Sequence, residues 1–347
     1  MSDPYDSGSN SLPSPLRSPA KSLSCPYSPG ATFIAYRHLP PAPFGGSYTK
    51  CDRPNQRDLK RTTQLDWCVA HPPTAGITFS DDSHSFNITS IIRGGEDCGA
   101  QIVLSNTGLV AKIYDPLFYS FQNQEFSEFN VDVTTAADSE YSIEAAAYSK
   151  LQQTPVEGSI TPQYYGSWTI DIASNVQGEY ITREVRMILV EHVPGVRMVD
   201  IDPDLLTPEL REHVMIRVIE ADYDLRRAGV RHDDLAPRNI ILSEKPDTID
   251  PNIRVTLVDF GHSIVYDIRY GRPLRWEVCN PLFNWASAST WSFMGWLPSF
   301  SEESVNSRWE LWGDGRNGKY AKVERDPDSQ VGKPLKPKLR GELKRNC

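Results

Sequence analysis

The chain has 347 residues, 39% of them hydrophobic, and a formal net charge of −9 at pH 7. The hydrophobic fraction is sufficient for a folded core and excludes a wholly disordered protein. The acidic balance argues against nucleic acid as a main partner. No uninterrupted apolar run approaches the roughly 20 residues that span a bilayer, so we expect no membrane partner. The six cysteines are scattered without metal-ligand spacing, which favours an intracellular location, cytoplasmic or nuclear.

The first 75 residues are rich in Ser, Pro, Gly and Asn and lack a sustained apolar period. Such a composition buries too little apolar surface to offset the entropy of an ordered chain. We therefore predict a disordered leader over residues 1–75, with order beginning near Gly76. Its Ser-Pro pairs at Ser14, Ser18 and Ser28 leave two interpretations open, phosphorylation sites or an unmodified flexible segment.

The next part of the chain predicts a sheet. Five segments have strand-like composition, at 87–93, 100–104, 108–114, 163–170 and 180–190. Gly-bearing turns join the first three, and such short connections indicate antiparallel pairing. Pro194-Gly195 follows the last segment and is interpreted as a hinge between two lobes.

Two stretches have helical periodicity. For the first, Thr135 or Asp138 is the expected N-cap. Four of its residues share one face: Glu144, Ala147, Tyr148 and Leu151. For the second, Thr207 suits the N-cap, Pro208 the first turn and Gly229 the end. Its apolar stripe consists of Leu210, Val214, Val218, Ala221 and Leu225, which predicts a helix buried on one side.

The stretch from Val230 to Asn239, followed by Val258-Asp259-Phe260-Gly261, indicates phosphoryl transfer. This reaction requires positioning, metal and positive charge over phosphate oxygens. In a loop after the second helix, Asp234 can orient an acceptor hydroxyl and take its proton. Asn239 and Asp259 offer the hard oxygen ligands that Mg²⁺ prefers. His232 has two interpretations, a packed residue that shapes the loop or an electrophile or general base.

His232-x-Asp234-Leu235-x-x-x-Asn239 with Asp259-Phe260-Gly261 resembles the catalytic and metal-binding loops of the protein-kinase-like superfamily. As in tyrosine kinases, Ala236 stands two residues after the acid. The resemblance implies that Arg238 supplies the missing cation. It covers about residues 85–320 and extends to fungal protein-kinase-like proteins, whose Trp-rich C-terminal part is similar to residues 276–312.

The resemblance implies an α+β, two-lobed protein-kinase-like fold that binds ATP and Mg²⁺ between its lobes. The small antiparallel β-rich N-lobe would span residues 76–194. A mainly helical and shortened C-lobe would span residues 195–322. A basic flexible tail is expected over residues 323–347.

Within the N-lobe, Val110-Ala111-Lys112-Ile113 resembles the strand whose lysine contacts the α- and β-phosphates. Its expected helical partner is Glu144, with Glu140 one turn earlier as the second choice.

Two further segments are expected at the nucleotide. Gly94, Gly95 and Gly99 lie in a turn whose backbone amides can cradle phosphates. The turn does not match G-x-G-x-x-G, so an ordinary β-turn remains open. Glu191 and Val193, in the segment before the hinge, are the expected contacts on the other side.

Several features depart from the family pattern. Asp233 occupies the position where regulated protein kinases carry arginine, so we predict no activation by loop phosphorylation. No Ala-Pro-Glu follows Asp259, so the peptide platform is reduced, and the acceptor is a protein Ser, Thr or Tyr or a small molecule. The insertion between Lys112 and Glu144 is rich in Phe and Tyr, and it would dock on the sheet or form a partner surface.

Together these residues predict an ATP- and Mg-dependent phosphotransferase that acts on a hydroxyl. The alternative is a pseudokinase or interaction module that binds nucleotide without efficient turnover. The sequence indicates neither the acceptor nor the oligomeric state.

Overall fold

The computed structural model of the protein describes residues 25–52, 54–176, 179–244, 246, 253–275, 279–285, 289–298, 301–329 and 332–335. In these ranges the fold is α+β, with an antiparallel barrel followed by a helix-rich C-terminal part. Buried side chains from both parts form one hydrophobic core. None of the helices found there is both long and apolar enough to cross a membrane. Ser14 and Ser18 lie outside these ranges.

Six strands close the barrel. They are β1 (Thr32–Leu39), β2 (Ile77–Arg93), β3 (Gln101–Ser105), β4 (Leu109–Tyr114), β5 (Tyr164–Val176) and β6 (Glu179–Glu191). Their order is β1-β2-β3-β4-β6-β5, and β1 closes the barrel by pairing Ala35 with Ile170 of β5. All pairs are antiparallel, as the short connections predicted. The five predicted strands correspond to β2 through β6.

The prediction of a disordered leader over residues 1–75 is wrong for the part from residue 25 onward. This part contributes β1 and the helices α1 (Gln56–Arg61) and α2 (Gln64–Ala70). Tyr27, Leu59 and Trp67 are buried. Their partners lie far away in sequence, as in the 2.8 Å hydrogen bond from the Tyr27 hydroxyl to Asp115. Order therefore comes from long-range contacts that leave no local apolar period.

Helix α3 (Val133–Leu151) carries the predicted buried face. Its N-cap is Asp132, whose side chain accepts from the Thr135 backbone N–H, so neither Thr135 nor Asp138 caps the helix. The insertion before α3 docks on the fold through buried Phe118 and Tyr119. Residues from the insertion also contact α1 and α2, and the Trp67 indole donates to Asp132 at 2.9 Å.

The C-terminal part begins with α4 (Pro208–Arg227). Thr207 caps it as predicted, and the predicted apolar stripe is buried. Short strands follow: β8 (Val230–Arg231), β9 (Ile240–Leu242), β10 (Val255–Leu257) and β11 (Ile264–Val265), while β7 (Val196–Arg197) precedes α4. The remaining helices are α5 (Tyr266–Tyr270), α6 (Leu282–Trp285), α7 (Ser289–Phe293) and α8 (Glu302–Trp312).

The structure describes residues at two predicted boundaries. Pro194-Gly195 connects β6 to the C-terminal part, and Gly195 has φ +149 with no room for a Cβ, which would lie 2.1 Å from the Leu242 carbonyl oxygen; a hinge at this point stays a prediction. The described beginning of the predicted flexible tail, residues 323–329 and 332–335, makes specific contacts. There the Trp309 indole donates to the Gly332 carbonyl at 2.8 Å, and the backbones of Arg325 and Pro334 form an isolated antiparallel β-bridge.

Candidate active site

Lys112 lies in the middle of β4, between β3 and β6, and its side chain is buried. Its ammonium contacts Glu144 of α3 at 2.5 Å and Asp259, two residues after β10, at 2.6 Å. Burial alone would lower the pKa of Lys112, but the two carboxylates outweigh it and raise that pKa. Lys112 in turn lowers the pKa of Asp259 to about 2. The charged lysine thus joins the barrel, α3 and the loop after β10.

Glu144, rather than Glu140, is the partner of Lys112. Its carboxylate also accepts from the Tyr114 hydroxyl at 2.8 Å. Glu140 accepts instead from the Tyr119 hydroxyl at 2.8 Å, and burial raises its pKa. The first-choice partner from the sequence therefore matches the observed contact.

Asp234 lies in the loop between β8 and β9, and its side chain is 28% exposed. Arg238 contacts one carboxylate oxygen at 2.5 Å. The Asn239 amide nitrogen donates to the other at 3.0 Å and to the Asp234 carbonyl at 2.9 Å. A short 3-10 turn, Pro237–Asn239, sets this spacing. The carboxylate is fixed in orientation while an accessible part remains, which suits a group that orients a hydroxyl.

His232 is buried and makes a 2.9 Å hydrogen bond with the Val258 carbonyl through Nε2. Its ring lies 4.9 Å from the ring of Phe260, which contacts Tyr148 at 5.1 Å. Tyr148 stacks on Tyr164 of the barrel at 5.3 Å. Of the two interpretations of His232, these contacts favour a packed residue that shapes its loop. His232 lies at one end of a buried row of aromatic rings that links the barrel, α3, the loop after β8 and the loop after β10.

Asn239 and Asp259 lie at one end of the β9–β10 hairpin, where the Val258 N–H donates to the Asn239 carbonyl at 3.0 Å. The Asn239 amide nitrogen is engaged with Asp234, so its amide oxygen is the atom left to bind a cation. Asp259 has one oxygen on Lys112 and a second to offer. Within the described ranges no cluster of three or more His, Cys, Asp or Glu could hold a metal alone. The two residues fit Mg²⁺ only as partial ligands that nucleotide and water oxygens would complete.

The glycine turn between β2 and β3 is occupied by its own protein partners. The Gly95 N–H donates to the Gln101 side-chain oxygen at 2.7 Å, and the Gly99 N–H donates to the Phe118 carbonyl at 3.0 Å. A Cβ on Gly94 would lie 2.7 Å from the same Gln101 oxygen. Gln101 is buried and also donates to the Gly95 and Gly99 carbonyls. In this conformation two of the three expected phosphate-binding positions have no free amide, which favours the ordinary turn.

Glu191 and Val193 lie where the chain leaves the barrel. The Glu191 carboxylate accepts from the Gln163 backbone N–H at 3.0 Å and from Arg254 at 3.3 Å. Val193 is half-buried in the connection. Glu191 therefore stabilises this connection through these two contacts, and nucleotide contact by Glu191 and Val193 stays a prediction.

A cavity of about 620 Å³ adjoins the loop between β8 and β9, and its lining includes Asp233, Asp234, Arg238, Glu140 and Ser47. We call it the Asp234 cavity, because Asp234 lines it. Ser47 comes from the segment that the sequence predicted to be disordered. Sequence reasoning missed this contribution.

Residues 44–48, which we call the clasp segment, connect α3 to Val265 of β11. The Ser139 hydroxyl donates to the Phe44 carbonyl at 2.7 Å, and the Tyr48 hydroxyl accepts from the Val265 N–H at 2.7 Å. Gly45 has φ +70, and a Cβ there would lie 2.3 Å from the Ser139 hydroxyl oxygen. The Gly45-Gly46 pair was the one available sequence signal, because paired glycines permit such close backbone approach.

No protein-family model matches the chain, and no curated protein matches it either. The functional inference therefore starts from the residues of the site.

Proposed function

We propose that this protein is an ATP- and Mg-dependent phosphotransferase with a two-lobed protein-kinase-like fold, which transfers the γ-phosphoryl group to a hydroxyl. The observation that carries the proposal is the contact of one buried lysine, Lys112, with both Glu144 and Asp259. These residues come from three separate motifs, and such an ion-paired lysine beside a metal-type aspartate is the arrangement that phosphoryl transfer requires.

Each residue then has a role that its surroundings support. Lys112, kept charged by its two carboxylates, would position the phosphates. Asp234 would orient the acceptor hydroxyl and take its proton as the new P–O bond forms and ADP leaves. Arg238 would hold Asp234 and lend positive charge. Asn239 and Asp259 would hold Mg²⁺, which when bound neutralises charge on the phosphate oxygens.

The first experiment measures thermal unfolding with and without Mg-ATP. Nucleotide at 100 times its Kd stabilises a protein by about 2.7 kcal/mol, a readily measured increase in the melting temperature. No shift at millimolar Mg-ATP would contradict the proposal.

The second experiment follows γ-phosphate release and transfer to a panel of hydroxyl compounds and proteins. Asp234→Asn should lower kcat by about 100-fold or more while the Mg-ATP shift persists. Asp82→Asn, at an exposed position in β2, is the matched control and should keep full activity. Equal turnover by the Asp234→Asn variant would remove Asp234 from the mechanism.

A second candidate function is nucleotide binding without efficient turnover. The specific observation in its favour is the glycine turn, where Gly95 and Gly99 already donate to protein acceptors. Wild-type protein that shifts with Mg-ATP but transfers no γ-phosphate to water, protein or small molecules would favour this candidate. Gln101→Leu frees the Gly95 amide. If the turn does not hold phosphate, this change alters the Mg-ATP Kd by less than about threefold.

A further inference from the structure

A second cavity, of about 490 Å³, lies on the side of β8 and α5 and is lined by four arginines. They are Arg226 of α4, Arg231 of β8, and Arg272 and Arg275 after α5. Tyr266 and Tyr270 add phenol groups to the same wall. We call this cavity the arginine pocket. Among the described residues that line it there is no Asp or Glu, although the whole chain has a net charge of −9.

Arg226 and Arg231 are ion-paired with acids that do not themselves line the pocket. Arg226 contacts Asp222 at 3.0 Å and lies over the Tyr223 ring at 5.3 Å. Arg231 makes a two-point contact with Asp233, in which one nitrogen lies 2.7 Å from its carboxylate oxygen. These contacts fix the arginines before any ligand arrives. Arg272 lines the pocket and is exposed, so its positive charge is accessible to a ligand from solvent.

The arginine pocket and the Asp234 cavity are neighbours. Arg231 lines the first, its ion-pair partner Asp233 lines the second, and Asp234 follows directly in the chain. A group held in the arginine pocket would therefore lie beside the loop that carries the proposed catalytic acid. This proximity makes the pocket suited to the acceptor rather than to a remote partner.

We propose that the arginine pocket binds a phosphate monoester on the acceptor, so that the substrate is an already phosphorylated hydroxyl compound. The proposal rests on the proposed function and specifies its substrate class. Guanidinium groups match phosphate oxygens with paired, charge-assisted hydrogen bonds, and clustered arginines are the usual phosphate readers. The tyrosine hydroxyls supply further donors. The phosphate monoester has two possible sources, a phosphorylated peptide or a small phosphate ester.

The test is a binding measurement that needs no catalysis. Binding of a fluorescein-labelled phosphoserine peptide and of its unphosphorylated twin is measured by anisotropy, and binding of glucose 6-phosphate and of glucose is measured directly by isothermal titration calorimetry. We expect the phosphorylated peptide to bind at least tenfold more tightly than its twin, or glucose 6-phosphate to bind when neither peptide does. The first result assigns a peptide source and the second a small-molecule source.

Variants separate this pocket from the rest of the surface. Arg272→Ala should weaken binding of the bound probe by about fivefold to tenfold, and Arg272→Lys should recover part of the loss because it keeps the charge. Arg57→Ala, at an exposed arginine of α1, should change nothing.

Two results would overturn the proposal: no preference for phosphorylated over unphosphorylated probes, or an Arg272→Ala Kd equal to that of wild type. Neither result bears on the Mg-ATP shift or on the Asp234→Asn rate, so failure of the pocket is distinguishable from failure of the proposed function.

Discussion

Helix α3 is held by two groups of contacts that differ in kind. On the junction side, Glu144 binds charged Lys112 and Tyr148 packs on Phe260. On the N-terminal side, Ser139 donates to the Phe44 carbonyl and Tyr141 pairs with His38 at 2.6 Å. The first group combines an ion pair with aromatic packing and reaches the loop after β10 that carries Asp259. The second consists of hydrogen bonds to residues 38 and 44, which have no part in the proposed phosphoryl transfer.

This difference separates activity from stability. A charged, buried pair is costly to break, because the remaining charge is left without a partner. A hydrogen bond between uncharged groups contributes about 1 kcal/mol. Changes on the junction side should therefore abolish activity, and changes on the N-terminal side should mainly lower the free energy of unfolding. Four predictions test the division, from the largest expected effect to the smallest.

Lys112→Met is expected to have the largest effect. Removing the ammonium leaves Glu144 and Asp259 close together without their cation, so the free energy of unfolding should fall by about 3 kcal/mol. Phosphoryl transfer should fall by about 100-fold or more. Lys150→Met is the matched control, because Lys150 pairs with Asp267 at a partly exposed site and should cost less than about 1 kcal/mol. Full activity in Lys112→Met would contradict the claim that the contacts on the junction side are needed for activity.

The second prediction uses pH to separate the two groups. Burial lowers the pKa of His38 from 6.5 to about 4. Between these two pH values, His38 therefore binds a proton in the unfolded chain but not in the folded chain. The stabilisation is complete above pH 6.5 and is lost as the pH falls towards 4. The free energy of unfolding should decrease by roughly 2 kcal/mol across this window. His38→Gln should remove that decrease in urea titrations between pH 7 and pH 4.

The junction responds in a lower window. Lys112 lowers the pKa of Asp259 from 3.8 to about 2, so this contribution is present above pH 3.8 and is lost as the pH falls towards 2. Asp259→Asn should remove the Asp259 contribution to the dependence below pH 3.8, leaving a smaller one from Asp267, whose pKa the contact with Lys150 also lowers, and it should leave the His38 window unchanged. A single transition that both substitutions abolish would show that the two groups of contacts are not separate.

Gly45→Ala tests the close approach of the clasp segment to α3. The added Cβ would lie 2.3 Å from the Ser139 hydroxyl oxygen in a residue with φ +70, and we expect a loss of about 2 kcal/mol. Gly30→Ala is the matched control, since Gly30 has φ +90 but nothing within 4 Å of its Cβ. It should show only the cost of positive φ, about 1 kcal/mol. Adding Ser139→Ala to Gly45→Ala should recover part of the stability that Gly45→Ala loses beyond the loss in Gly30→Ala. Equal losses of unfolding free energy in Gly45→Ala and Gly30→Ala would exclude an effect of the contact with Ser139.

The same division explains what the sequence could predict. Strands β2 to β6, the capping of α4 by Thr207, and the Lys112–Glu144 pair follow from local patterns or motifs with known spacing. The N-terminal contacts do not, because His38 and Tyr141 are 103 residues apart and Phe44 and Ser139 are 95 apart. No local period records such pairs. The glycine turn was ambiguous for a related reason, since its amides are bound by Gln101, a residue whose burial the sequence does not reveal.

Tyr48→Phe should have the smallest effect and joins the two groups. It removes the hydroxyl that accepts from the Val265 N–H, so we expect a loss of about 1 kcal/mol. Through this bond and the Ser139–Phe44 hydrogen bond, the clasp segment holds α3 and the residues after Asp259 together. The residue before Asp234 is Asp233 rather than an arginine, so we expect no activation by loop phosphorylation. The Tyr48→Phe variant should therefore lower kcat only a few-fold, which corresponds to about 1 kcal/mol in activation free energy. Phosphatase treatment of the wild-type protein should leave the rate unchanged. A rate that falls on phosphatase treatment would instead show that a phosphorylated loop, and not the clasp segment, organises this side of the site.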